Sequence, residues 1–114
     1  MAELLQPRSV ARWLVAGAYL QLLPAAHAGD PQAQFILGQM SDSGLGVQLD
    51  RSEAARWYRL AGDRGYAPAQ YALARAYAEG RGVAVDHASA IAWLTAAAYG
   101  NFVPAILALS LIHI

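Results

Sequence analysis

A chain of 114 residues with 57% hydrophobic and 14% charged residues has room for one small domain. Its formal net charge is zero, which leaves no electrostatic footprint for nucleic acid, and the absence of cysteine removes disulfides, thiolate metal sites and a cysteine nucleophile together. Alanine at 26 positions favours closely packed helices; all eight basic residues are arginine, a bias that carries no binding signal.

Met1 to Arg12 carries Arg8 and Arg12 against a single Glu3. An apolar run from Trp13 to Leu23 follows, then Pro24, which is expected to break any helix, then Ala26-His27-Ala28. A basic start, a short apolar run and an A-x-A end are the three parts of a secretory signal peptide over residues 1–28, with cleavage after Ala28 and a periplasmic or secreted product. The run is too short for a stable membrane span, which needs roughly 20 residues. The alternative is a cytoplasmic protein in which this segment is the closing helix of a degenerate preceding repeat. Ala25 to Gly29 echoes Ala61 to Gly65, 36 residues on.

Residues 29–66 read as one repeat. Asp30 is a good N-cap and Pro31 suits the first helical position. Ala33, Ile36, Leu37 and Met40 then follow with helical periodicity, so helix A is expected from Pro31 to about Ser43. Gly44 and Gly46 let the chain reverse, and Val47 is placed to plug the gap between the helices. Asp50 caps helix B, with Glu53 at N3 as an Asp variant of the capping box. Helix B runs from Arg51 to about Arg64 along the stripe Ala54, Trp57, Tyr58 and Ala61, and Gly65 closes it.

Residues 67–102 repeat the plan. Pro68 starts helix A, with Ala69, Leu73, Ala76 and Tyr77 inward. Gly80-Arg81-Gly82-Val83 turns the chain, Asp86 caps helix B, and Trp93 and Leu94 stand where Trp57 and Tyr58 stood. Asn101 takes the place of Gly65 as a left-handed cap. An echo held at 36 residues over this many positions marks a solenoid.

Pro104 and Ala105 start a third helix A over residues 103–108, which is expected to stop almost at once. Leu109 to Ile114 breaks the repeat register. These six residues resemble the in-frame translation of a transposon-end sequencing adapter, which would make 109–114 a non-native tail on a truncated fragment. An unfinished end of this kind is expected to be marginally stable or to self-associate, because a repeat array needs about three copies.

The pattern resembles the Sel-one-like repeat, a relative of the tetratricopeptide repeat. The residues that carry the resemblance are Leu37, Gly44, Gly46, Val47, Asp50, Trp57 and Ala61 in the first copy. In the second they are Leu73, Gly80, Gly82, Val83, Asp86, Trp93 and Ala97. The first copy departs with Ser41 in place of a tyrosine, which should thin its packing, and the second with Ala74 in place of Gly38. The resemblance implies an all-α fold, an α-α superhelix of antiparallel helix pairs. It also implies an adaptor that binds proteins or peptides and is not an enzyme.

No residue set points to catalysis, a cofactor or a metal. Trp57 and Trp93 read as core, His87 as a solvated first-turn residue, and Asp50 and Asp86 as caps. Arg51, Arg56, Arg59 and Arg64 read as a solvated, salt-bridged face or, alternatively, as a patch for an acidic partner. A binding surface is expected on helix A opposite the seam with helix B: Phe35, Gln39 and Asp42 in the first copy, Tyr71, Arg75 and Ala78 in the second. The competing reading packs Phe35 and Tyr71 between neighbouring repeats. Beside the scaffold reading stand two others, a regulatory or targeting module of a larger enzyme and a periplasmic module for cell-wall glycan or peptide.

Overall fold

Residues 7–112 are described by the computed structural model, with side chains described from Gly17 to Leu111. The basic start at Met1 to Gln6, the side chains of Arg8, Arg12 and Trp13, and the last two residues of the tail lie outside the described residues. Every element of the described chain is a helix: α1 (Pro7–His27), α2 (Pro31–Ser43), α3 (Arg51–Asp63), α4 (Ala67–Glu79), α5 (His87–Tyr99) and α6 (Val103–Ile112). Helices α2 to α5 are each 13 residues long, the helix A and helix B pairs expected from the echo.

The caps explain the equal lengths. Asp50 accepts the backbone N–H of Glu53 at 3.1 Å, and Asp86 accepts that of Ser89 at 3.2 Å. Ser89 also donates its hydroxyl to Asp86 at 2.7 Å, and this bond leads the causes that hold the Asp86 carboxyl below the ordinary carboxylate range. The capping box at Asp50 is only half formed. Glu53 pairs instead with Arg56 at 3.3 Å, and the N–H of Asp50 returns to the carbonyl of Ser41 at 2.9 Å. Asp86 returns to Tyr77 in the same way, also at 2.9 Å. Each turn is thus tied back to its own helix A, and Gly44 and Gly80 end that helix with φ of 71° and 72°.

Stacking of neighbours gives an elongated body of 57 × 27 × 24 Å. Its radius of gyration is 15.9 Å, against about 13 Å for a compact domain of this length. Each helix packs chiefly on the one before it and the one after it. Val47 packs with Leu37, Met40 and Trp57 beneath α1, whereas Val83 packs with Ala54, Ala55 and Tyr58. The turn valines thus sit in clusters that cross the joint between repeats, Val47 among residues of α1, α2 and α3 and Val83 among residues of α3, α4 and α5. Ser41 is buried, at 2% exposure, at the position where the second copy has the half-buried Tyr77.

Two expectations fail. Pro24 lies inside α1, which continues to His27. A proline removes one N–H and crowds the carbonyl four residues back, here that of Leu20; both residues lie on the exposed face, where water can serve that carbonyl. The inner face of α1 packs Tyr19, Leu22, Leu23 and Ala26 against α2 and Trp57. Its end repeats the ends of α3 and α5. Asp30, Tyr66 and Phe102 donate their N–H groups to the carbonyls of Ala25, Ala61 and Ala97 at 3.0, 3.1 and 3.2 Å. In each case a left-handed residue precedes the donor: Gly29, Gly65 or Asn101. So α1 occupies the helix B position of a preceding repeat.

The third helix A, α6, also does not stop near Ala108. Ala105, Ala108 and Leu109 follow helical spacing and pack on Leu94, Ala97 and Ala98, so α6 runs on through the first part of the tail. Its other face leaves Val103, Leu107 and Leu111 exposed.

Candidate functional site

A groove of about 430 Å³ opens along α2 and α4, with α3 between them. It collects all five residues expected on the helix A surface: Phe35, Gln39 and Asp42 from α2, and Tyr71 and Arg75 from α4. They share a wall because helix A of each repeat presents the same face. Ala78 is exposed and does not line the groove.

One end of the groove is aromatic. Phe35 stacks on Tyr66 with centroids 5.4 Å apart and planes at 55°, and also meets Tyr58 at 5.8 Å. Thirty-six residues on, Tyr71 stacks on Phe102 at 5.5 Å and 55°. Phe35 and Tyr71 pack at the joint between repeats, as the competing reading has it, and what remains exposed of them lines the groove. Tyr66 and Phe102 are partners that the sequence reading missed. They fall at the position where Asp30 caps α2, so repeats two and three place an aromatic ring where the first has a capping carboxylate.

The other end is charged. Asp42 accepts from Arg81 Nη2 at 3.0 Å, lies 3.7 Å from Arg51 Nε, and accepts the Tyr58 hydroxyl at 3.4 Å. Burial of the Tyr58 ring, reinforced by the neighbouring Asp42 carboxylate, pushes its phenol well above the ordinary tyrosine range. Arg81 also lies 3.6 Å from Glu79, and Arg75 lies 3.7 Å from the same carboxylate. Asp42 is thus the hub of the charged end, not a free ligand. Arg51 and Arg81 join the groove although neither sits on helix A.

The arginines of α3 do not form one patch. Arg51 faces the groove and Arg56 pairs with Glu53. Arg59 donates to the Tyr77 hydroxyl at 2.8 Å and covers the Trp93 ring at 6.0 Å, tying the first repeat to the second. Trp57 is buried in the core, whereas Trp93 is half-buried beneath Arg59. His87 is exposed. Among the described residues, no group of three or more His, Asp or Glu side chains could hold a metal ion, and no helix is long and apolar enough to cross a membrane.

The Sel1 repeat matches residues 31–66 and 67–102, so the first match starts two residues after the expected boundary at 29. Among solved structures, a protective antigen present in uropathogenic Escherichia coli strains and displaying an SLR fold is similar, with a TM-score of 0.77 and 39% identity. A Sel1 repeat protein from Oxalobacter formigenes is similar with a TM-score of 0.78 and 38% identity. The matches cover 79% and 80% of this chain but only 19% and 26% of those proteins, so the chain spans about a fifth and a quarter of their lengths. No curated protein matches the sequence. With both copies of the repeat matched and the helix pairs stacked as the motif requires, the chain belongs to the Sel1-repeat family of α-solenoids.

Proposed function

We propose that this chain is a non-catalytic scaffold that holds a protein or peptide segment in the groove along α2 and α4. The observation that carries the reading is the convergence of Phe35, Gln39, Asp42, Tyr71 and Arg75, from two successive repeats, on that one groove. Sel1 repeats are commonly protein-interaction scaffolds, which supports the same reading. A surface made by repetition suits an extended segment, because each repeat offers an equivalent contact at regular spacing. Tyrosine and arginine are also the side chains that concentrate binding energy at interfaces.

Selection of a random peptide library against the 114-residue chain tests this. Enriched peptides are expected to lose binding to Tyr71→Ala plus Arg75→Ala and to keep it with Arg56→Ala, on the outer face. Peptides that bind the double variant as well as the parent would overturn the reading, and so would a selection that enriches nothing.

A further inference from the structure

We propose that the segment held in the groove is acidic: an extended peptide whose aspartate or glutamate side chains meet Arg51 and Arg75, beside an apolar side chain that rests on Tyr71 and Phe102. This rests on the groove being a peptide site and adds the chemistry of the partner.

The charges of the groove set the sign. Three guanidinium groups line it, those of Arg51, Arg75 and Arg81, against the carboxylate of Asp42, with Glu79 alongside. They are not equally committed. Arg81 makes a true hydrogen bond to Asp42 at 3.0 Å. Arg51 and Arg75 stand 3.7 Å from their nearest carboxylates, beyond hydrogen-bonding distance, and their side chains are 50% and 56% exposed. Each can therefore present donors to an incoming carboxylate in the paired geometry that a planar guanidinium favours. The two arginines come from different helices, α3 and α4, so they suit two separate acidic side chains better than one terminal carboxylate.

The aromatic end sets the second feature. Tyr71 and Phe102 are half-buried and hold each other at 5.5 Å, so the shelf is formed before anything binds. Pro68, with no backbone N–H to satisfy, lines the groove at the same end. An apolar side chain laid there gains contact at little ordering cost.

The test uses the full 114-residue chain and fluorescein-labelled, C-terminally amidated peptides. One carries two acidic residues flanking a phenylalanine. A second replaces the acids by asparagine and glutamine, a third replaces the phenylalanine by alanine, and a fourth is neutral but keeps a free terminal carboxylate. Anisotropy titration is expected to show the acidic aromatic peptide binding at least about tenfold tighter than each of the others, with a preference that weakens as salt rises. Arg51→Gln plus Arg75→Gln changes two exposed side chains, so the fold should be kept, as circular dichroism would verify. This variant should bind the acidic and amide peptides equally.

If the amide peptide binds the parent as tightly as the acidic one, the acidic partner is wrong while peptide binding stands. Binding of the free-carboxylate peptide alone would replace side-chain acids by a chain terminus and overturn the inference too. An unchanged preference in the double variant would do the same. No binding by any of these peptides, with none enriched from the random library, would remove both readings.

Discussion

Gln70 donates its side-chain amide to the backbone carbonyl of Gly62 at 2.9 Å, and the same bond joins Gln34 to Ala26 at 3.0 Å, one repeat earlier. Both glutamines are buried, at 8% and 4% exposure, on helices where every neighbour facing the seam is apolar or small. Each ties helix A to the end of the preceding helix B, where a carbonyl would otherwise have few partners. Gln70→Leu keeps most of the volume and removes the donor. It is expected to cost about 1–2 kcal/mol in urea unfolding, because the carbonyl of Gly62 then keeps only its bond from Gly65. Gln70→Glu should cost more, since it buries a carboxylate against a carbonyl; a neutral result for both would deny the seam this bond.

The turn glycines differ in what they require, and substitution should separate them. Gly82 has φ of 78°, and a side chain there would run into the backbone of Arg51 and Ser52, at the start of the preceding helix B. Gly65 has φ of 85° but open space around it. Gly65→Ala is therefore expected to cost about 1 kcal/mol, the penalty of the left-handed backbone alone. Gly65→Asn should cost less, because Asn101 already holds φ of 60° at the equivalent place. Gly82→Ala should cost about 3 kcal/mol or more, since the turn must also lift off α3. Equal midpoints for the two alanine variants would show that the turn does not seat on the neighbouring repeat.

What was legible in the sequence was what the repeat states twice. The lengths of α2 to α5, the N-caps Asp30, Asp50 and Asp86 and the core set Leu37, Trp57, Leu73 and Leu94 follow from helical periodicity and the echo at 36 residues. The face carrying Phe35 and Tyr71 followed from the same geometry. Gln34 and Gln70 recur at the repeat spacing, but a polar side chain reads as solvated until a carbonyl is known to face it, so their role was not legible. Arg81 was out of reach for another reason. Its bond to Asp42 spans 39 positions and exists only because one repeat's turn stacks on the previous repeat. The departures between copies become compensations in three dimensions. Gly38 leaves no room for a methyl beneath the Tyr58 ring, with a virtual Cβ at 2.6 Å, whereas Ala74 faces the narrower Leu94. Tyr58 in turn reaches Asp42, and their counterparts Leu94 and Ala78 carry no polar group to pair.

The Tyr58 phenol gives the fold a pH dependence of definite sign. An unfolded tyrosine ionises at about pH 10. In the folded chain, burial and the Asp42 carboxylate favour the neutral phenol and raise its pKa. The unfolded state therefore loses this proton first. The stability contributed is fully present below about pH 10 and falls as pH rises above it, no faster than about 1.4 kcal/mol per pH unit for one proton. Urea unfolding between pH 9 and about pH 11.5 should show Tyr58→Phe losing less stability across the range than the parent. Asp42→Asn should fall between the two, because it removes the charge and leaves the burial. Parallel profiles for the parent and Tyr58→Phe would show that this phenol does not report on folding.

Trp57 reports on α1. Its ring is 7% exposed, packs with Leu37 and Met40, and meets the His27 imidazole edge-on at 5.9 Å. Leu22, Leu23 and Ala26 complete that cluster from α1. A chain beginning at Gly29, as cleavage after Ala28 would leave it, loses this cover and the partner of Gln34. Two consequences are expected. Measured against a full chain carrying Trp13→Phe, so that both chains emit from Trp57 and Trp93, tryptophan emission should shift to longer wavelength as Trp57 becomes wetted. The unfolding midpoint should drop, because truncating one buried leucine already costs about 2–5 kcal/mol and here two partly buried ones are removed together. Leu22→Ala plus Leu23→Ala in the full chain should move both readings in the same direction by a smaller amount. A trimmed chain with an unshifted spectrum and an unchanged midpoint would mean that α1 adds nothing to the core, and that the repeats hold themselves together without it.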